Sequence, residues 1–313
     1  MTTLTPPAAR LTHLAARLRA EARDALELLL LPGLAALLPW RWAFALFRRM
    51  AGWSWLYRGQ CERALAGAQS HGAVAEPARW LREYRLVILV DHADHFLSRT
   101  RSDAWLRRHV RVSGDWGLAP GQAGLLVTFH WGCGMWAQRH AHAQGLAPHT
   151  LVASPDGLRG RSVLRWYIRQ RLRTLTLAEG RPVIYVPGPM RAVRRAWASG
   201  EQVVVVIDVP ADQVAGTLTL PVLGRTARVP AALARLALSQ QVPVTVYTLD
   251  LDLATGQRHL RLHPLGVMQD AEALLRQVFG HFDAAVGGRP ASWHLWSEAE
   301  RFFDRGVGEA THD

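Results

Sequence analysis

Between residues 125 and 249 five short β-prone runs alternate with helical stretches, and this rhythm limits the fold more than any other feature of the chain. The runs cover 125–129, 150–153, 183–186, 202–207 and 242–249, with helical periodicity over 159–173 and 190–199 between them. Apolar strands separated by helices predict a parallel sheet, because a parallel neighbour is reached only through a crossover long enough to hold a helix. A further strand is expected over 258–263, a helix over 271–286, and a closing segment over 293–303. The expected class is α/β, a mixed and largely parallel sheet flanked by helices.

Ahead of the sheet, residues 11–106 carry Leu and Ala at three- and four-residue spacing with arginines between them, so helices and no strand are expected. Breaks are predicted near Pro32, Pro39, His71 and Pro77. The apolar run 28–40 contains Pro32 and stops at Arg41, short of the ~20 residues a spanning helix needs, and no secretory signal is expected. Behind it cluster Trp40, Trp42, Trp53, Trp55 and Tyr57, interleaved with Arg41, Arg48, Arg49 and Arg58. Aromatics mixed with Arg suit a bilayer interface, and they equally suit a helical core with the rings turned inward. The expected organisation is a helical, membrane-associating region over 1–110 and an α/β domain over 111–305, joined as one continuous fold.

The formal charge is +12, and all 37 basic residues are Arg. Such an excess draws anionic partners, whether lipid headgroups, a phosphorylated carrier or nucleic acid. No nucleic-acid motif accompanies it, so that partner is not expected. Six arginines lie at 159, 161, 165, 169, 171 and 173; they form either a phosphate-binding stripe or a solvated basic face. Cys61 and Cys133 lack any paired spacing, which excludes a disulfide framework and a four-cysteine zinc site.

The candidate chemistry centres on His130, which directly follows the run 125–129 and precedes Trp131, Gly132, Cys133, Gly134 and Met135. A His at the carboxyl end of a strand in an open α/β sheet stands where such sheets present ligands. It can act as a general base, or merely pair with a backbone carbonyl. Cys133 near a helix start offers an acyl-carrying thiol or simple packing. A metal site from His130, Cys133, His140 and His142 is disfavoured, because residues two apart point to different helix faces. A Gly-x-Ser-x-Gly elbow is absent, and neither a P-loop nor a dinucleotide fingerprint stands in the expected strand-to-helix context.

Four blocks in order carry a family resemblance. They are the His130 segment; residues 198–208, ending in Asp208; residues 218–224 with 229–237 and 242–244; and Trp293-His294-Leu295-Trp296. Over roughly residues 80–300 this arrangement resembles the lysophospholipid acyltransferase superfamily, and is similar to the late acyltransferases of lipid A biosynthesis. The resemblance implies transfer of a fatty acyl group from an acyl carrier protein or coenzyme A thioester to a hydroxyl or amine of a lipid-like acceptor. It implies His130 as general base, no cofactor, and a peripheral or monotopic place on the cytoplasmic face of the inner membrane. Gly132, Cys133, Gly134, Arg169, Arg171, Arg173 and Asp212 are the expected substrate contacts, the glycines shaping the oxyanion region.

The family's acid, five residues after the His, is here Met135, which cannot accept an imidazole N–H. Three readings stay open. Asp208, or Asp212, serves His130 instead; the base works unaided; or catalysis is lost, leaving a lipid- or carrier-binding protein.

Overall fold

A computed structural model describes residues 7–157, 160–214 and 216–303. Helix α1 (Pro7–Asp24) runs through a π-helical stretch (Ala25–Leu30) directly into α2 (Leu31–Leu37). The break expected at Pro32 is therefore absent. Pro32 stands in the first turn of α2, just past the wider turn, where a missing N–H costs little. The chain does break at Pro39, before α3 (Trp40–Met50), and continues through α4 (Arg58–Ser70), α5 (Pro77–Thr100) and α6 (Asp103–His109). Residues 86–90 of α5 are buried all round, which makes it a core helix, yet Asp94 and His95 on its later turns are buried as well.

The α/β part comprises β1 (Val110–Ser113), β2 (Gly124–Thr128), α7 (Met135–Ala143), β3 (Pro148–Ala153), α8 (Ser162–Glu179), β4 (Ile184–Val186), α9 (Met190–Ala198) and β5 (Gln202–Val206). A hairpin of β6 (Thr217–Val222) and β7 (Arg225–Pro230) follows, then α10 (Ala232–Ser239), β8 (Val244–Leu251), β9 (Arg258–Gly266) and α11 (Ala271–Gly288). Seven strands form one sheet in the order β1-β9-β8-β2-β5-β3-β4, parallel except between β8 and β9. Neither β1 nor the separate β6–β7 hairpin was expected from the alternation pattern. Both are short or half exposed, and so lack its apolar signature.

The order fixes the faces. The connections β2–α7–β3 and β3–α8–β4 travel one way along the sheet, and right-handed crossovers put α7 and α8 on one face beside α5. From β4 to β5 and from β5 to β8 the chain travels back, which puts α9 and α10 on the other face. The neighbours β2 and β5 thus send their chains to opposite faces and leave a crevice between their carboxyl ends. One hydrophobic cluster runs from Ala35 to Phe303, so the helical part and the sheet share a core. Among the described residues no helix is long and apolar enough to cross a membrane.

Candidate active site

The register of β2 against β5 decides which polar side chains meet in the crevice. Thr128 lies opposite Val206, so two residues on, past both strand ends, His130 lies opposite Asp208. The Asp208 carboxylate accepts the His130 backbone N–H at 2.8 and 3.0 Å, stands 3.0 Å from His130 Nδ1, and accepts Trp293 Nε1–H at 2.7 Å. Its side chain is 1% exposed while that of His130 is 39% exposed, so the acid is sealed and the imidazole open. A carboxylate on Nδ1 fixes the tautomer: Nδ1 carries the proton and Nε2 the lone pair. Nε2 has no partner among the described residues. Burial works against the charged imidazole, but the Asp208 charge and hydrogen bond outweigh it and raise the His130 pKa above 6.5.

Met135 takes no part in this pair; it opens α7 and lines the neighbouring cavity. Asp212, the other candidate partner, is exposed and meets Arg301 at 2.8 and 2.9 Å instead of His130. The glycines divide. Gly132 adopts φ +60°, and a Cβ there would stand 2.1 Å from the Leu249 carbonyl oxygen, so this glycine serves close packing against β8. Its N–H bonds Ser292 O at 2.9 Å and that of Cys133 bonds Leu249 O at 3.1 Å, so neither amide is free to serve an oxyanion. Cys133 is fully buried outside the cavity wall, and burial pushes its thiol well above the ordinary range, so it is a packing residue. Gly134 lines the cavity, and the N–H groups of Gly134, Met135 and Trp136, at the start of α7, have no acceptor among the described residues.

Of the arginines expected on substrate, only Arg171 lines the cavity. Arg169 and Arg173 are exposed on α8 and do not reach it; Arg159 lies outside the described residues. Arg171 grips Asp91 of α5 with both carboxylate oxygens at 2.8 Å and reaches Tyr167 Oη at 3.3 Å. Tyr167 in turn meets His92 Nδ1 at 2.7 Å. Burial holds the His92 pKa down to about 3, so this imidazole stays neutral. On the far side of the His130 loop, the His294 backbone N–H bonds His130 O at 2.8 Å and His294 Nε2 donates to Gly132 O at 2.8 Å. Asp91 and His92 were not singled out from the sequence, and His294 only as part of the block Trp293-His294-Leu295-Trp296. The available signal was four ionisable residues, Asp91, His92, Asp94 and His95, directly following the apolar stretch 86–90 of one helix.

His130, Asp91, His92, Arg171 and His294 border a cavity of about 1230 Å³, above the roughly 300–1,000 Å³ usual for small-molecule sites. Its wall is mostly apolar, with Leu151 and Val152 of β3, Ile168, Leu172 and Leu175 of α8, and Val186 of β4. Among the described residues no cluster of three or more His, Cys, Asp or Glu could hold a metal ion. The arrangement offers a base on the wall of a large, mostly apolar chamber, with Gly134 and Met135 of the unpaired α7 start lining the same chamber. No protein-family model matches the chain, and no curated protein matches its sequence.

Proposed function

We propose that the protein is an acyltransferase that moves a fatty acyl group from a carrier-protein or coenzyme A thioester to a hydroxyl or amine of a lipid-like acceptor, a member of the superfamily its motifs resemble. The observation that carries this reading is the His130–Asp208 pair at the mouth of a large apolar cavity. His130 Nε2 takes the proton of the acceptor O–H or N–H as that atom attacks the thioester carbonyl. The tetrahedral oxyanion develops against the free N–H groups at the start of α7. The C–S bond then breaks and the departing thiolate takes the proton back from the imidazolium, so the base is regenerated. Asp208 keeps the tautomer and stabilises the transient charge.

Membrane contact on the cytoplasmic face of the inner membrane belongs to the same reading. Trp42, Trp53 and Trp55 are 59%, 40% and 44% exposed, beside exposed Arg41, Arg48 and Arg49. Such residues suit an anionic interface.

Met135 favours a second reading, a lipid- or carrier-binding protein without turnover. The test is release of carrier thiol from acyl carrier protein and acyl coenzyme A thioesters with extracted membrane lipid as acceptor. His130-dependent release with a new acylated lipid supports the enzyme; equal release by wild type and His130→Ala rules the base out. Ligand binding without release across a broad donor set supports the second reading.

A further inference from the structure

The face of the sheet under α7 carries a polar patch inside the mostly apolar chamber. Thr128 of β2 and Thr150 of β3 share that face, because each pairs with an even-numbered valine of β5, Val206 and Val204. Tyr247 of β8 and Gln138 of α7 complete the patch, and all four line the cavity. Gln138 Nε2 donates to Tyr247 Oη at 2.8 Å. Gln138 Oε1, on a side chain more than nine-tenths buried, has no partner. Turning the amide over would only exchange the unpaired atom, since one end meets Tyr247 and the other nothing. A buried polar atom without a partner costs about 1–3 kcal/mol, so one on a side chain that lines a cavity calls for a ligand atom to meet it. The patch is also neutral. Its only acid, Glu179 behind Thr150, is pushed up to about 8 by burial and holds its proton at neutral pH. A neutral patch fits a hydroxyl, which can both donate and accept, better than a charged group.

Resting on the acyl-transfer reading, we infer that the chamber selects an acyl chain bearing a hydroxyl, held by the unpaired end of Gln138 within the Thr128–Thr150–Tyr247 patch. Thr128, the last residue of β2, lies two residues before His130, roughly 7 Å away along extended chain, so the hydroxyl stands several carbons from the thioester carbonyl.

The test is equilibrium binding to the full-length protein, followed by tryptophan fluorescence, with dodecanoate and its mono-hydroxylated isomers as probes. At least one isomer is expected to bind about tenfold more tightly than the plain chain. Gln138→Leu is expected to erase that preference while keeping affinity for dodecanoate. Should that variant fail to fold, Tyr247→Phe, which removes only the hydroxyl that holds the amide, is expected to weaken the same preference. A wild type that binds dodecanoate as tightly as every isomer overturns the inference and leaves the acyl reading standing. A preference that persists in the folded variants also overturns it. Binding of no chain at all overturns the acyl reading and the inference together.

Discussion

Two of the buried carboxylates that face a basic side chain, Asp94 and Asp208, are built for opposite purposes. Asp94 of α5 meets Arg258 of β9 with both side chains 0% exposed, and the guanidinium lies 4.1 Å from the Trp40 ring and 5.4 Å from that of Trp105. Burial raises the Asp94 pKa, with Arg258 pulling the other way, and nothing in the surroundings lets either group reach solvent or ligand. The His130–Asp208 pair has the same sealed acid but an open base. An Arg that never gives up its proton fastens one element to another, whereas a His whose second nitrogen faces a cavity can carry a proton in and out. Burial of the acid alone does not mark a reactive site; what distinguishes the two pairs is the free nitrogen of the partner.

The comparison can be broken first at His130. His130→Ala is expected to lower kcat by roughly 10³–10⁴-fold, ~4–5.5 kcal/mol of barrier, and to shift the unfolding free energy by no more than about 1 kcal/mol. Arg258→Met is expected to do the reverse, costing about 3–5 kcal/mol of stability in denaturant titrations by leaving a buried carboxylate unpaired, with rate loss only as the fold is lost. Adding Asp94→Leu to it should restore most of the stability; a double variant no more stable than the single would show that the charges do more than fasten α5 to β9.

Asp208→Asn sharpens the comparison by keeping the shape and removing the charge. It is expected to lower kcat about 100-fold, because the amide cannot favour the imidazolium. The sign of the pH effect follows from the raised His130 pKa: the neutral base is lost as pH falls, so the acid limb of the rate profile lies above 6.5 in the wild type. Without the carboxylate that limb should move to lower pH, and an unmoved limb would mean that Asp208 does not tune the base. The smallest effect is expected at the exposed aromatics. Trp53→Ala with Trp55→Ala should weaken binding to anionic phospholipid vesicles by about tenfold, ~1.4 kcal/mol, and leave thiol release from a soluble donor unchanged.

Much of the sheet was legible because buried parallel strands are written as continuous apolar runs. The expected runs 125–129, 202–207 and 242–249 correspond to β2, β5 and β8 within one or two residues. The hairpin β6–β7 was not, since its half-exposed residues alternate weakly around Pro221 and Gly224. His130 and Asp208 were legible as polar residues just past strand ends, but their pairing was only one of several readings. Trp40 and Trp42 illustrate the same limit: they are two residues apart on one helix, yet one is 6% exposed and the other 59%. The inward reading of the aromatic cluster therefore holds for Trp40 and Tyr57, while Trp42, Trp53 and Trp55 stay on the surface.

The sequence by itself determined the buried strands of the sheet, the helical character of the chain ahead of it, and that a histidine follows the strand ending at Thr128, because local periodicity and side-chain shape set those choices within a few residues. Only the tertiary structure decided that β2 lies beside β5, that Asp208 rather than Met135 or Asp212 meets His130, and that Gly132 packs where Gly134 opens to the cavity. Those outcomes depend on sheet order and strand register, which are fixed by the packing of residues scores of positions apart and leave no mark at short range.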